Sequence, residues 1–133
     1  MGIKYLWDTN IVIYYLQNAF PQASAKFIDE LLKEQQPIFS FITEIELLSW
    51  KTDNDQDREL IKKFISNSLV LDADHSIKIK AAEIRRLYST KLPDALIASA
   101  ALTYDLTLLT RNTKDFDKIK DLKVLDVWEI KSL

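Results

Sequence analysis

Three residue types that often carry enzyme chemistry are scarce in this 133-residue sequence. Cysteine is absent, which excludes disulfides, thiolate nucleophiles, zinc ribbons and iron–sulfur clusters and indicates a reducing compartment. The sole glycine, Gly2, leaves no glycine-rich loop for a dinucleotide or a phosphate. The sole histidine, His75, follows Asp74 at a predicted helix start, and no serine stands in a nucleophile elbow. Carboxylates are therefore the concentrated catalytic resource of this chain.

Long apolar runs are missing as well. No stretch approaches the roughly 20 residues that cross a bilayer, and the first residues lack the arrangement of a signal peptide. We therefore expect a cytoplasmic protein without a membrane anchor. The length and the 47% hydrophobic content predict one globular domain over residues 1–133.

Acidic residues dominate the first part of the chain and basic residues the second. The net charge of −2 argues against a strongly basic nucleic-acid binder. Residues 1–75 hold 7 basic and 12 acidic residues, whereas residues 76–133 hold 11 basic and 8 acidic residues. The basic residues of the second part gather at Lys78, Lys80, Arg85, Arg86 and Lys91. This run is either a solvated helix face or a strip that follows a phosphate backbone beside an acidic centre.

Short apolar runs alternate with helical patterns along the chain. Strands are predicted at residues 4–7, 38–41, 69–71, 107–109 and 124–125, and helices at 9–20, from 21 until Pro37, at 43–50, around 60–65, at 76–88 and from Lys91 onward. The alternation predicts a parallel α/β sheet covered by helices on both faces. In the first helix, residues 11–16 are apolar on every side, which is typical of a buried or interface helix.

Four acidic residues stand where an apolar run ends or a helical pattern begins. They are Asp8, Glu46, Asp94 and Asp115. A carboxylate at the exit of a buried strand points into the crevice where open α/β sheets bind ligands. Several carboxylates close together cannot all stay ionised unless a cation offsets their repulsion. The pattern therefore predicts one shared site for Mg²⁺ or Mn²⁺, with one or two ions.

Such a site suits phosphodiester hydrolysis. A bound ion can activate a water, bind a phosphate oxygen and offset charge on a departing 3′ oxygen. Neutral residues near the acids, Asn10, Thr110 and Asn112, would orient the ligands.

Each acid also has a simpler interpretation. Asp8 could cap the helix that follows it, and Glu46 could complete a capping box that begins at Thr43. Asp94 could be favoured by the helix dipole, and Asp115 could belong to a solvated loop. Together these alternatives require four coincidences.

The same residues give a resemblance to a known family. In order along the chain, the matching segments are Leu6-Trp7-Asp8-Thr9-Asn10, Ser40-Phe41-Ile42-Thr43-Glu44-Ile45-Glu46-Leu47, Leu92-Pro93-Asp94-Ala95-Leu96-Ile97-Ala98 and Leu109-Thr110-Arg111-Asn112-Thr113-Lys114-Asp115-Phe116. The chain resembles PIN domains, specifically the VapC-type toxins of bacterial toxin–antitoxin pairs. The resemblance implies a three-layer α/β/α fold with a short, mostly parallel sheet of about five strands. It also implies a Mg²⁺- or Mn²⁺-dependent endoribonuclease, usually a homodimer, which a small cognate antitoxin inhibits.

The resemblance also ranks the acids. Asp8, Glu46 and Asp94 match the three firmest positions and are expected to hold the principal ion, while Asp115 matches a more variable fourth position, for which Asp117 is the competitor. Glu44 competes with Glu46, but the family pattern of Thr, two residues, Glu and Leu selects Glu46. The glycine that the family has shortly after this glutamate is missing, and Ser49-Trp50 stands in its region.

Partners follow from the same reasoning. The basic residues Arg85, Arg86 and Lys91 are candidates for contacts with RNA phosphates. The apolar first helix and the region around Trp50 are the expected surface for an antitoxin or a second copy.

Three other functions are alternatives to the ribonuclease. A phosphohydrolase with Asp8 as covalent nucleophile would need a second aspartate at Asn10, and a phosphoacceptor receiver domain would need a paired acid where Trp7 stands. A catalytically silent PIN-like module that binds RNA or protein would not need all four acids.

Overall fold

The computed structural model describes residues 2–131, so Met1 and positions 132 and 133 of the expected domain lie outside the described residues. Strands and helices alternate as the sequence predicts. The strands are β1 (Tyr5–Trp7), β2 (Ile38–Ser40), β3 (Leu69–Leu71), β4 (Thr107–Leu109) and β5 (Val124–Leu125). The helices are α1 (Thr9–Leu16), α2 (Gln22–Glu34), α3 (Phe41–Leu48), α4 (Asp55–Ser66), α5 (His75–Tyr88) and α6 (Leu92–Thr103), with 3-10 turns at Thr113–Asp115 and Val127–Glu129.

The strands pair in parallel. Their hydrogen bonds form two ladders, β1-β4-β5 and β2-β3, and β1 lies next to β2, so the strands follow one another in the order β3-β2-β1-β4-β5. The chain moves from β1 to β2 and β3 on one side, and then to β4 and β5 on the other. Open sheets bind ligands beyond the carboxyl ends of the strands at such a reversal of order.

Side chains alternate between two cores. In β1, Leu6 packs with α5 and α6, whereas Trp7 packs with α1, α2 and α4. Adjacent residues of β4 separate in the same way, with Leu108 in the first core and Leu109 in the second. Because successive side chains of a strand point to opposite faces, the sheet is covered on both faces. The predicted three-layer α/β/α fold is confirmed.

Helix α6 approaches its neighbours closely because its buried side chains are small. Ala95, Ala98 and Ala101 are at most 1% exposed, and the Ser99 hydroxyl donates to the carbonyl oxygen of Ile77 on α5 at 2.6 Å. This packing fixes the start of α6, where Asp94 stands, against the sheet.

Several element boundaries differ from the prediction by a few residues, including those of α1 and α3. Helix α1 ends at Leu16 rather than at residue 20, because the backbone turns at Asn18, whose φ is 54°. Helix α3 begins at Phe41, with the Ser40 side chain accepting from the backbone N–H of Ile42. The capping box proposed for Glu46 was therefore wrong, since the helix cap is Ser40 and not Thr43. In the described part of the chain, no helix is long and apolar enough to span a bilayer.

Candidate active site

Asp8 stands at the junction of β1 and α1 and is 7% exposed. Its backbone N–H donates to the Leu109 carbonyl oxygen of β4 at 2.9 Å. Its Oδ1 accepts from the Thr9 backbone N–H at 2.8 Å, and its Oδ2 accepts from the Thr110 hydroxyl at 2.7 Å and from the Asn10 amide at 3.1 Å. Asp8 therefore does cap α1, but two side-chain donors also hold its carboxylate.

Burial raises the pKa of Asp8 above its ordinary value of 3.8, and the hydrogen bonds from Thr110, Thr9 and Asn10 oppose that rise. The charge of Glu46 raises the pKa further. The donors thus favour the ionised form of a carboxyl whose burial favours the protonated form.

Thr110 is the centre of a network of polar side chains. While its hydroxyl donates to Asp8, the same oxygen accepts from the Asn112 backbone N–H at 2.9 Å and from the Asn10 amide at 3.3 Å. The side-chain oxygen of Asn10 in turn accepts from the Arg111 backbone N–H at 3.2 Å. Of the three predicted orienting residues, Asn10 and Thr110 contact Asp8 through their side chains, whereas Asn112 contributes its backbone N–H.

Glu46 reaches the same region from α3. Its Oε1 accepts from the Thr9 hydroxyl at 2.7 Å, and the Thr9 and Thr43 hydroxyl oxygens are 3.0 Å apart. Because a hydroxyl has one hydrogen, Thr9 uses its own on Glu46 and Thr43 must donate to Thr9. The sequence analysis gave Thr9 no role beyond a matching family segment, and it used Thr43 as a possible cap and as part of the family pattern that selects Glu46. The available signal was that Thr9 follows Asp8 directly and that Thr43 precedes Glu46 by one helical turn.

Asp94 is the third residue of α6 and is half-buried. Burial raises its pKa above 3.8, and the negative charges of Asp8, Asp115 and Glu46 raise it further, while Lys91 lowers it. The charge of each of the other three predicted acids therefore raises the pKa of Asp94.

Asp115 is exposed in the 3-10 turn Thr113–Asp115. The four predicted acids come from four separate segments, and the charges of the other three act on Asp94. Within residues 2–131, however, no three histidine or acidic side chains are already arranged to hold one ion. The donor set consists of oxygen atoms, which suits a hard divalent cation.

The three basic residues predicted to contact RNA lie near the start of α6. Lys91 directly precedes that helix, without a side-chain capping hydrogen bond, and its charge lowers the pKa of Asp94. Arg85, in the last turn of α5, donates through Nε to the Thr90 carbonyl oxygen at 3.2 Å, and Arg86 beside it is exposed.

The two regions expected to form a partner surface, the first helix and the region around Trp50, differ in exposure. Ile11 and Val12 of α1 are 0% exposed and belong to the chain's own core. Four of the exposed apolar side chains lie on α3, on α4 and in the segment between them. They are Ile45, Leu48, Trp50 and Leu60.

Comparison with known proteins agrees with this fold. The family model described as "PIN domain" matches residues 5–122. Ribonuclease VapC1 of Haemophilus influenzae is 31% identical over 130 residues, which cover 92% of this chain and 96% of the relative. The tRNA(fMet)-specific endonuclease VapC of Shigella flexneri is 26% identical over 132 residues, covering 93% and 98%.

Solved structures give the same result. VapBC-1 from nontypeable Haemophilus influenzae matches with a TM-score of 0.80 and 28% identity, covering 94% of this chain and 98% of that chain. VapBC2 from Rickettsia felis, bound to a DNA fragment from the promoter, matches with a TM-score of 0.79 and 25% identity, covering 92% and 98%. The chain belongs to the PIN domain family, and its relatives along nearly the whole length are VapC ribonucleases.

Proposed function

We propose that this protein is a Mg²⁺- or Mn²⁺-dependent endoribonuclease and the toxin of a type II toxin–antitoxin pair. The observation that carries the proposal is that Thr9 joins two acids from different elements, since its backbone N–H donates to Asp8 at 2.8 Å and its hydroxyl to Glu46 at 2.7 Å. The charges of Asp8, Asp115 and Glu46 also raise the pKa of Asp94. Carboxylates whose charges act on one another in this way are costly for a fold unless a cation offsets them. The ribonuclease names of the relatives supply the expected substrate class.

Asp8, Glu46 and Asp94 would hold the principal ion, and Asp115 would support it or hold a second one. The bound ion would supply activation of a water and charge neutralisation at the scissile phosphate and the departing 3′ oxygen. A histidine base is not part of this proposal, because the only histidine, His75, begins α5.

The chain's own residues prepare this chemistry. Thr110 and Asn10 fix one oxygen of Asp8 and favour its ionised form. Thr43 and Thr9 form a relay that fixes Oε1 of Glu46, and so its Oε2 remains for a ligand. Hydrogen bonds of this kind reduce the conformational freedom that metal binding would otherwise have to remove.

RNA binding requires positive charge beside these acids. We assign phosphate contacts to Lys91, Arg85 and Arg86, since Lys91 is close enough to influence Asp94 and the two arginines end the preceding helix. The partner proposed for the protein is a small cognate antitoxin, in line with the VapBC complexes among its structural neighbours. A homodimer is expected for the free protein.

The decisive experiment is cleavage of cellular RNA by the purified protein, with its antitoxin removed. A chelator should abolish cleavage, and added Mg²⁺ or Mn²⁺ should restore it. Asp94→Asn should lose at least about 100-fold in rate, on the order expected when a ligand to a catalytic metal is removed. Asp29→Asn, on the exposed face of α2, is the matched control and should cleave like the parent. Cleavage that persists in chelator would contradict the metal mechanism. An inactive parent that still binds RNA would indicate a silent binding module.

A further inference from the structure

Arg111 is a cation whose backbone N–H donates to Oδ1 of Asn10 beside the acidic site, and its side chain has no part in the proposed metal chemistry. It follows Thr110 directly, and its side chain is exposed. The ion pairs found between residues 2 and 131 join Lys62 to Glu59, Lys80 to Glu83 and Lys123 to Asp105. None of them uses Arg111, so no carboxylate in this part of the chain neutralises its charge.

An aromatic surface holds the Arg111 side chain in place. The guanidinium carbon lies 4.2 Å from the centre of the Trp128 ring, a cation–π contact. Trp128 is itself fixed by Tyr14 and Phe20, whose ring centres are 4.7 and 5.4 Å away. Its backbone N–H also donates to Asp126 Oδ1 at 2.9 Å. The guanidinium therefore rests on a rigid support.

Asn10 links this cation to the acids. One end of its amide donates to Asp8, and the other accepts from the Arg111 backbone N–H. Tyr14 stands four residues after Asn10 on α1 and so lies on the same face, roughly 5–6 Å farther along the helix. The backbone of Arg111 is thus anchored to the residue that orients Asp8, while its guanidinium rests on Trp128.

The geometry selects a phosphate over a nucleobase as the ligand. Trp128 covers one face of the guanidinium, whereas the N–H donors of an arginine lie in its plane and point outward from the edge. Phosphate oxygens bind that edge in a two-point arrangement. A polyanion that enters a site of four carboxylates also needs a fixed positive charge near the point of entry.

We propose that Arg111, supported by Trp128, binds a phosphate of the RNA backbone other than the one that is cut. This inference rests on the ribonuclease function proposed above. Arg111 acts in substrate binding, and Trp128 is a positioning residue that acts through Arg111.

The test measures RNA binding and cleavage separately. Affinity for a short single-stranded RNA is determined by fluorescence anisotropy at several KCl concentrations in an Asp94→Asn background, and KM and kcat are determined in the parent background. Arg111→Ala should weaken binding and flatten the plot of log affinity against log salt by about 0.7, the contribution of one phosphate contact in a single strand. KM should rise while kcat changes less than about twofold, as expected when binding shared by the ground and transition states is lost.

Two further variants separate charge from placement. Arg111→Lys keeps the charge and should keep the salt slope while binding more weakly. Trp128→Phe should behave as the parent, whereas Trp128→Leu removes the aromatic support and should weaken binding without changing the slope. The matched control is Arg58→Ala, because Arg58 is exposed on α4 and its guanidinium donates to the Thr52 carbonyl oxygen.

The outcomes distinguish this inference from the function on which it rests. If the parent cleaves RNA and Arg111→Ala matches Arg58→Ala in affinity and salt slope, the phosphate contact is overturned and the ribonuclease stands. A loss of affinity that depends on base identity, with an unchanged slope, also overturns it in favour of a base contact. A parent that neither binds nor cleaves RNA overturns both.

Discussion

The Thr110 hydroxyl donates to Oδ2 of Asp8 at 2.7 Å, although 102 positions separate the two residues. Asp8 follows β1 and Thr110 follows β4, and these strands are paired in parallel, with Trp7 opposite Leu109. Adjacent parallel strands end at the same edge of a sheet. The strand pairing therefore sets this contact, and with it the orientation of the most buried acid.

Removing that hydroxyl should impair the site without unfolding the protein. In Thr110→Val the pKa of Asp8 should rise further, because burial would be opposed by fewer hydrogen bonds. We expect about 10- to 100-fold lower activity, which is typical of the loss of a residue that orients a metal ligand. The acidic limb of the pH–rate profile should also move to higher pH. Thr110→Ser keeps the hydroxyl and should retain the parent profile; an unchanged profile in the valine variant would show that Thr110 does not tune Asp8.

The raised pKa of Asp94 makes a prediction about stability. Burial and the charges of Asp8 and Asp115 keep this carboxyl protonated in the folded protein at pH values where it is ionised in the unfolded chain. The native state then binds more protons, so the free energy of unfolding of the metal-free protein should fall as pH rises from 3.8 through the raised pKa. Asp94→Asn removes this contribution.

We therefore expect Asp94→Asn to have a higher Tm than the parent at pH 7 in chelator, with a smaller difference near pH 4. Added Mn²⁺ should raise the Tm of the parent more than that of the variant, because ligands stabilise the state that binds them. Thermal unfolding at both pH values measures these effects. Asp29→Asn provides the comparison, and equal Tm values for the two variants at pH 7 would mean that the acids do not strain the fold.

The fourth acid can be identified by a pair of variants. Asp115 and Asp117 are both exposed, but the charge of Asp115 is among those that raise the pKa of Asp94. We expect Asp115→Asn to lower activity at limiting Mn²⁺ and to recover partly when Mn²⁺ is raised. Asp117→Asn should follow the parent curve. Titration of activity with Mn²⁺ measures both, and the reverse order would move the assignment to Asp117.

The sequence was sufficient to predict the three layers of the fold and the position of Asp8 directly after β1. A short apolar strand that ends at an acid is a local pattern, and the pairing of parallel strands turns it into a site at one edge of the sheet. The start of α3 was predicted less well, because Ser40 both ends β2 and caps the helix. Residues 38–41 were therefore read as one strand, and Thr43 as the cap.

Local sequence patterns could not predict contacts between side chains that are far apart along the chain. Thr9 meets Glu46 over 37 positions and Thr43 over 34. Their relay depends on how α1 packs beside α3. The same holds for Arg111 and Trp128, which meet because β4 and β5 are parallel neighbours that end at the same edge of the sheet. Periodicity along the sequence reports which face of an element is buried, but not which polar groups meet across two elements.

The exposed apolar side chains between α3 and α4 predict where the antitoxin binds. Trp50 and Leu60 line a groove of ≈ 360 Å³ together with Leu16 of α1, and Leu60 is 48% exposed. Contiguous exposed apolar surface marks an interaction site. We expect Leu60→Asp to retain ribonuclease activity but to require at least about tenfold more cognate antitoxin for inhibition, because an isolated charge opposes burial of the groove. Leu87→Asp, on α5 and 57% exposed, is the control and should be inhibited like the parent. Titration of RNA cleavage with purified antitoxin measures both variants, and equal inhibition of the two would place the antitoxin elsewhere on the molecule.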